Sequence, residues 1–252
     1  MSKARQHVLV ALGLCLLFSL GSPFAQAASP QQIQQLRSLS YTVVDNVLVF
    51  HNPLGVPYDS SNAQAYQQAL QQLMQQAQAL GLNEVSAQAL RLSAAVADLQ
   101  HLPQNAADSR SNIPAFRQWL PQVIEAQGQL LVLLDQRYQQ ASGGSPEQQA
   151  LHQLSRDLQR LSLHYQLTAF PYLAVQMWML DDAQLQALDA SVQQRLQQLP
   201  GGDGNLDKLA ARYHFVRGYL LKSGDGWAPN AVQRYLAGTA AELDNAAAKL
   251  TL

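Results

Sequence analysis

SPEQQALHQLSRDLQRLSLHY, residues 145–165, carries the marks of one capped helix with a single apolar seam. Ser145 and Gln148 stand at the two positions of a capping box, and Pro146 occupies the first helical position, where a missing N–H costs nothing. Leu151, Leu154, Leu158, Leu161 and Tyr165 then recur at alternating three- and four-residue steps. That spacing puts them on one face of a helix, as in antiparallel helix pairs and short coiled coils.

The same period runs outward in both directions. Ser29-Pro30 opens a helix with Ile33, Leu36, Val43, Val44, Val47 and Leu48 at helical spacing. Its segment YTVVDNVLVF (41–50) is rich in β-branched residues, but the stepping favours helix over strand. Asn52-Pro53 ends it. A second helix presents Tyr66, Ala69, Leu70, Leu73, Ala77 and Leu80, and Gly81 stands at its cap. A third carries Ala89, Leu92, Val96 and Leu99 and stops at Pro103. Pro114 opens a fourth with Phe116, Leu120, Val123, Ile124, Leu130, Leu131, Leu134 and Tyr138, expected to kink at Pro121.

Beyond the quoted stretch, Pro171 interrupts the chain with a second expected kink. Asp181 or Asp182 caps a segment carrying Leu185, Leu188, Val192 and Leu196. Two closing helices, about 205–222 and 229–250, form a hairpin around Trp227. The expectation is an all-α, elongated antiparallel bundle of six or seven helices. Residues 143–145 are the candidate boundary between two stacked sub-bundles.

The first 27 residues read differently. Lys3 and Arg5 precede the apolar run VLVALGLCLLFSL, and Ala25-Gln26-Ala27 supplies an A-x-A cleavage site. This is a secretory signal peptide pattern, with cleavage between Ala27 and Ala28 and a periplasmic or secreted product. Leu14 before Cys15 does not fit a lipidation site. Cleavage removes that cysteine, so residues 28–252 offer no disulfide, thiolate or thiolate-bound metal. No stable membrane insertion is expected after cleavage.

Without Lys3 and Arg5, 14 Lys+Arg stand against 17 Asp+Glu, a net charge of −3 that argues against a nucleic-acid partner. Charged residues are only 13% of the chain, and Gln, a good helix former, takes over the polar surface.

Motifs for chemistry are missing. There is no C-x-x-C-H, no H-E-x-x-H, no G-x-S-x-G, no glycine-rich phosphate loop and no Glu-x-x-His. His51 and Met74 are the one conceivable axial pair for haem. Met177 and Met179 have a copper-carrier spacing but point to different sides of a helix. His152 and His164 project off the seam of the 145–165 helix. No cofactor is expected.

The closing hairpin holds the remaining candidates. Arg217 projects among Leu206, Leu209, Ala210, Tyr213, Leu220 and Leu221. A buried Arg is costly unless paired. It therefore snorkels to water, pairs with a carboxylate the sequence does not place, or awaits an anionic ligand. The other face carries Lys208, Arg212, Phe215, Tyr219 and Lys222, a basic and aromatic stripe that Arg234 and Tyr235 extend. It either packs against a neighbouring helix or binds a partner.

The pattern is similar to periplasmic helical-bundle sensor domains of bacterial receptors at the level of fold. The expected function is non-enzymatic: an exported helical bundle that binds an envelope protein or a small anionic ligand. The alternative is a periplasmic haem- or metal-binding bundle.

Overall fold

The computed structural model describes residues 28–52, 55–102, 104, 113–170, 179–199, 207–221 and 226–250. Among these residues all regular structure is helical: α1 Pro30–Phe50, α2 Ser60–Ala79, α3 Asn83–Leu99, α4 Ile113–Gln140, α5 Pro146–Thr168, α6 Asp182–Gln197, α7 Asp207–Leu221 and α8 Pro229–Lys249. The described helices number eight, more than the six or seven expected. The segment after Asp181 is a helix in its own right, with Asp181 and Gln184 closing a full capping box.

Local chemistry explains most boundaries. Ser29 accepts from the Gln32 N–H while the Gln32 side chain accepts from the Ser29 N–H, and Pro30 sits at the first helical position. Asp59 caps α2 through the Ser61 N–H. Gly81 takes φ +66°, and the Leu82 N–H reaches back to the Ala77 carbonyl, which turns the chain into α3. Only half of the box expected at Ser145 forms. Ser145 accepts from the Gln148 N–H, but the Gln148 side chain donates instead to the Ala247 carbonyl of α8. α4 runs through Pro121, which has no N–H to give to the preceding turn. α5 ends at Thr168, so the expected kink at Pro171 falls outside the described residues, as do residues 1–27.

The helices close into two rings. In the first, α1 packs on α2, α2 on α3, α3 on α4 and α4 back on α1; in the second, α5, α6, α7 and α8 do the same. Each ring is an antiparallel four-helix bundle. The first core gathers Leu36, Leu48, Tyr66, Leu73, Leu92, Phe116, Leu130 and Leu134. The second gathers Leu154, Leu158, Leu161, Val192, Tyr213, Val216, Leu236 and Leu243. The division is not clean at residues 143–145, because Leu167, Ala169 and Phe170 at the end of α5 join the first core. Trp227 touches both cores and tilts against Tyr165, with ring centroids 5.3 Å apart.

The bundles meet where α1 packs on α5 and α8. α1 is therefore covered on nearly every side, and from Tyr41 to Phe50 only Thr42 is more than slightly exposed. Burial of Val43, Val44, Val47 and Val49 outweighs the modest reluctance of β-branched residues to be helical, each contributing about 1.5–2 kcal/mol of apolar burial.

Candidate functional site

Arg217 has the partner that the sequence did not place. Its Nε lies 2.8 Å from Asp189 Oδ1 and its terminal nitrogen 2.7 Å from Oδ2, a two-pronged ion pair between α7 and α6. The Tyr213 hydroxyl donates to the same carboxylate at 2.7 Å. Burial pushes Asp189 up, but the hydrogen bonds from Arg217 and Tyr213 outweigh it and hold the carboxyl below its usual range.

The outward stripe is partly covered. Arg212 pairs with Glu242 of α8, and Tyr219 packs partly into the second core. Phe215 remains 59% exposed, its ring 4.9 Å from that of Tyr235. Arg234 is exposed, and Lys222 and Leu206 fall outside the described residues. The structure thus splits these residues between an intramolecular ion pair, a hairpin contact and open surface; it does not gather them into one pocket.

His152 and His164 need correcting. Both are buried, because α5 packs against α1, α6 and α8 rather than along one seam. His152 Nε2 lies 2.8 Å from Gln31 Oε1 and Nδ1 lies 2.9 Å from the Tyr138 hydroxyl. The Gln31 oxygen can only accept, so Nε2 carries the proton and Nδ1 accepts from Tyr138. Burial, helped by nearby Arg37, lowers its pKa to about 4. His164 Nδ1 accepts the Leu180 N–H at 3.1 Å.

These contacts belong to a polar seam between the two bundles. Gln34 donates to Asp244 Oδ1 at 3.1 Å and Ser38 to Oδ2 at 2.6 Å. Arg37 pairs with Asp135 at 2.8 Å within the first bundle and lies 4.1 Å over the Tyr138 ring, while Arg156 of α5 reaches the same carboxylate across the joint. Within the second bundle, Gln166 donates to the Pro229 carbonyl at 3.1 Å.

Within this seam α1, α2, α5 and α8 leave a cleft of about 410 Å³, a size suited to a small organic molecule. Gln35, Ser38, Leu39, Tyr41, Thr42 and Asp45 line it from α1, at spacings that share one helix face. α2 adds Gln72 and Gln76, α5 adds Gln159 and Ser162, and α8 adds Gln233, Ala237, Ala241, Asp244 and Asn245. Space exists because α8 presents alanines where a larger side chain would reach α1.

Two carboxyl groups in the cleft are strongly perturbed. Asp45 is 4% exposed, and its Oδ1 makes no hydrogen bond within the described residues. Burial pushes its pKa up to about 7, tempered by the Ser162 hydroxyl beside it. Burial likewise raises Asp244 to about 6, against the pull of Ser38 and its neighbours. Gln159 Oε1 and Ser162 Oγ are also enclosed without a hydrogen-bond partner of good geometry. Perturbed, unsatisfied groups in a cleft mark a candidate site with a physical basis. Asp45 was overlooked in the sequence, although it is the one charged side chain in YTVVDNVLVF.

The conceivable haem pair is placed in packing roles. The His51 ring lies 4.9 Å from Phe50, 5.7 Å from Tyr58 and 5.2 Å from Phe116, and Met74 packs against the same core. Burial lowers the His51 pKa to about 4. Met177 lies outside the described residues, while Met179 packs on the first core. Among the described residues no three His, Cys, Asp or Glu side chains are grouped to hold a metal ion. No described helix is long and apolar enough to cross a membrane. No family model, curated protein or solved structure matches the chain.

Proposed function

We propose that this protein is an exported, non-enzymatic binding protein of the bacterial cell envelope that holds a small polar ligand between its two bundles. The observation that carries the reading is Asp45: a buried carboxyl group with an unpartnered oxygen lining a cleft large enough for a small molecule. A group so placed costs stability unless something recovers the loss. Export rests on the signal-peptide pattern of residues 1–27.

An anion has weaker support than the sequence suggested. Arg217 is engaged by Asp189, and the described cleft lining contains no Lys or Arg. The haem or metal alternative has weaker support, since its best axial pair is enclosed by packing.

Thermal-shift screening of the purified protein against small polar compounds tests the reading, with Ala241→Phe as the control that fills the cleft. Hits should vanish in that variant. Hits that persist there place binding elsewhere and sink the cleft. N-terminal sequencing of protein from a periplasmic fraction tests export: the chain should begin at Ala28, and a start at Met1 would refute it.

A further inference from the structure

We infer that the ligand of this cleft is a small organic cation bearing a primary ammonium group, with Asp45 as its counter-ion. The inference rests on the ligand-binding reading of the cleft and adds the chemical class.

Charge argues first. Asp45 and Asp244 line the cleft, and no described lining residue is Lys or Arg. Asp244 is already held by Gln34 and Ser38, whereas Asp45 has only the Ser162 hydroxyl beside it and its Oδ1 makes no hydrogen bond of good geometry. An anionic ligand would meet uncompensated carboxylate there. A cation would supply the charge that Asp45 lacks.

The hydrogen-bond inventory argues next. Asp45 Oδ1, Gln159 Oε1 and Ser162 Oγ belong to lining residues and make no hydrogen bond of good geometry; the Ser162 hydroxyl leans toward Asp45, and all three oxygens can accept. Gln159 and Ser162 are three residues apart on α5, so they share a face, and Ser162 sits beside the Asp45 carboxyl. A primary ammonium carries three N–H donors and no acceptor. A hydroxyl brings one donor, and a quaternary ammonium none. Leu39, Ala237 and Ala241 offer an apolar wall to a short hydrocarbon stem, and amides and hydroxyls make up most of the rest of the lining.

Proton and ammonium compete for the same carboxylate. Asp45 holds its proton up to about pH 7, so affinity should fall as pH drops through that value. The other titratable groups lining the cleft with it are Tyr41 on α1 and Asp244 on α8, while Arg156 and Arg160 of α5 and Asp135 of α4 act on Tyr41. α2 presents only Gln72 and Gln76. Tyr41 stays neutral, its pKa raised to about 12 by burial, and Asp244 titrates in the same direction as Asp45.

The test uses three probes with one four-carbon skeleton: 1,4-diaminobutane, 1,4-butanediol and succinate, titrated calorimetrically into the full chain. The diamine should bind at least about tenfold more tightly than the other two, and about tenfold more weakly near pH 6 than near pH 8. Asp45→Asn should cost about tenfold or more for the diamine. Ser162→Ala should weaken it less, with circular dichroism showing both variants folded. If the diol binds as well as the diamine and Asp45→Asn changes nothing, the cation is wrong while the cleft stands. Failure of the diamine to bind also overturns the cation, and leaves the cleft to its own screen. Diamine binding that survives Ala241→Phe overturns both.

Discussion

Replacing Asp45 by Asn should stabilise the protein at high pH and leave it unchanged at low pH. Burial raises the carboxyl from its ordinary 3.8 to about 7. Between these values the folded chain keeps a proton that the unfolded chain has released, so rising pH costs stability. Three units correspond to about 4 kcal/mol once the group is fully ionised. Water entering the cleft reduces that ceiling, and about 2–4 kcal/mol is the expected range. For a chain of this length each kcal/mol moves Tm by about 2–4 °C, so Asp45→Asn should melt roughly 4–16 °C higher near pH 8. Below about pH 3.5 the carboxyl is protonated in the folded and unfolded chains alike, and the curves should coincide; by about pH 5 the variant should already lead. Far-UV circular dichroism melts of both proteins across this range, without added amine, provide the assay. A difference that does not grow between about pH 4 and pH 7, or a variant less stable at every pH, would mean that Asp45 is ionised and well paired, and would refute the reasoning.

The wild-type profile should be nearly flat between about pH 4.5 and 6. There Asp45 and Asp244 lose stability as pH rises, while His51 and His152, buried neutral with pKa values of about 4, gain it. His164, lowered by burial, adds to the gain and Asp157, raised by burial, to the loss, and in Asp45→Asn stability should climb with pH over this window in urea titrations. Arg217→Ala should leave Asp189 buried without its two-pronged partner and cost about 1–3 kcal/mol. That is below the range for fully buried pairs because the arginine side chain is 34% exposed. A loss under about 0.5 kcal/mol in chemical denaturation would contradict the pairing. Gly144→Ala should cost about 1–3 kcal/mol in the same assay, since Gly144 has φ +96° and an added Cβ would lie 2.8 Å from Gln148 Oε1. A neutral result would show that the α4–α5 turn can relax.

The helices could be read from the chain because their signals are local. Ser29-Pro30, Asp181-Asp182 and Gly81 work through atoms a few residues away, and the Leu periods report one buried face each. The site could not be read because it depends on second and third faces. α1 and α5 each touch neighbours from both bundles, so His152 and His164, off the seam by projection, are enclosed all the same. Gln148 shows the same limit in miniature: its sequence position says cap, but the neighbouring α8 carbonyl takes its amide. Asp189 sits on α6 and meets Arg217 only through packing of α6 on α7, which no spacing encodes. Asp45 did leave a trace, a lone carboxylate in an apolar run, but it stands out only once α1 is known to be buried on every side.

The polar seam also fixes where this molecule yields first. Each bundle keeps its own greasy centre; beyond the apolar link at Leu167, Phe170 and Trp227, amides, hydroxyls and carboxylates hold the two together. Such groups exchange partners with water at a net loss of only about 1 kcal/mol per hydrogen bond. The halves should therefore breathe apart along α1 and α5 at far less cost than melting either one. Asp45 belongs to one half and Gln159 and Ser162 to the other. A molecule gripping all three acts as a rivet across the joint, and at a hundredfold excess over its Kd it would hold the joint shut by about 2.7 kcal/mol.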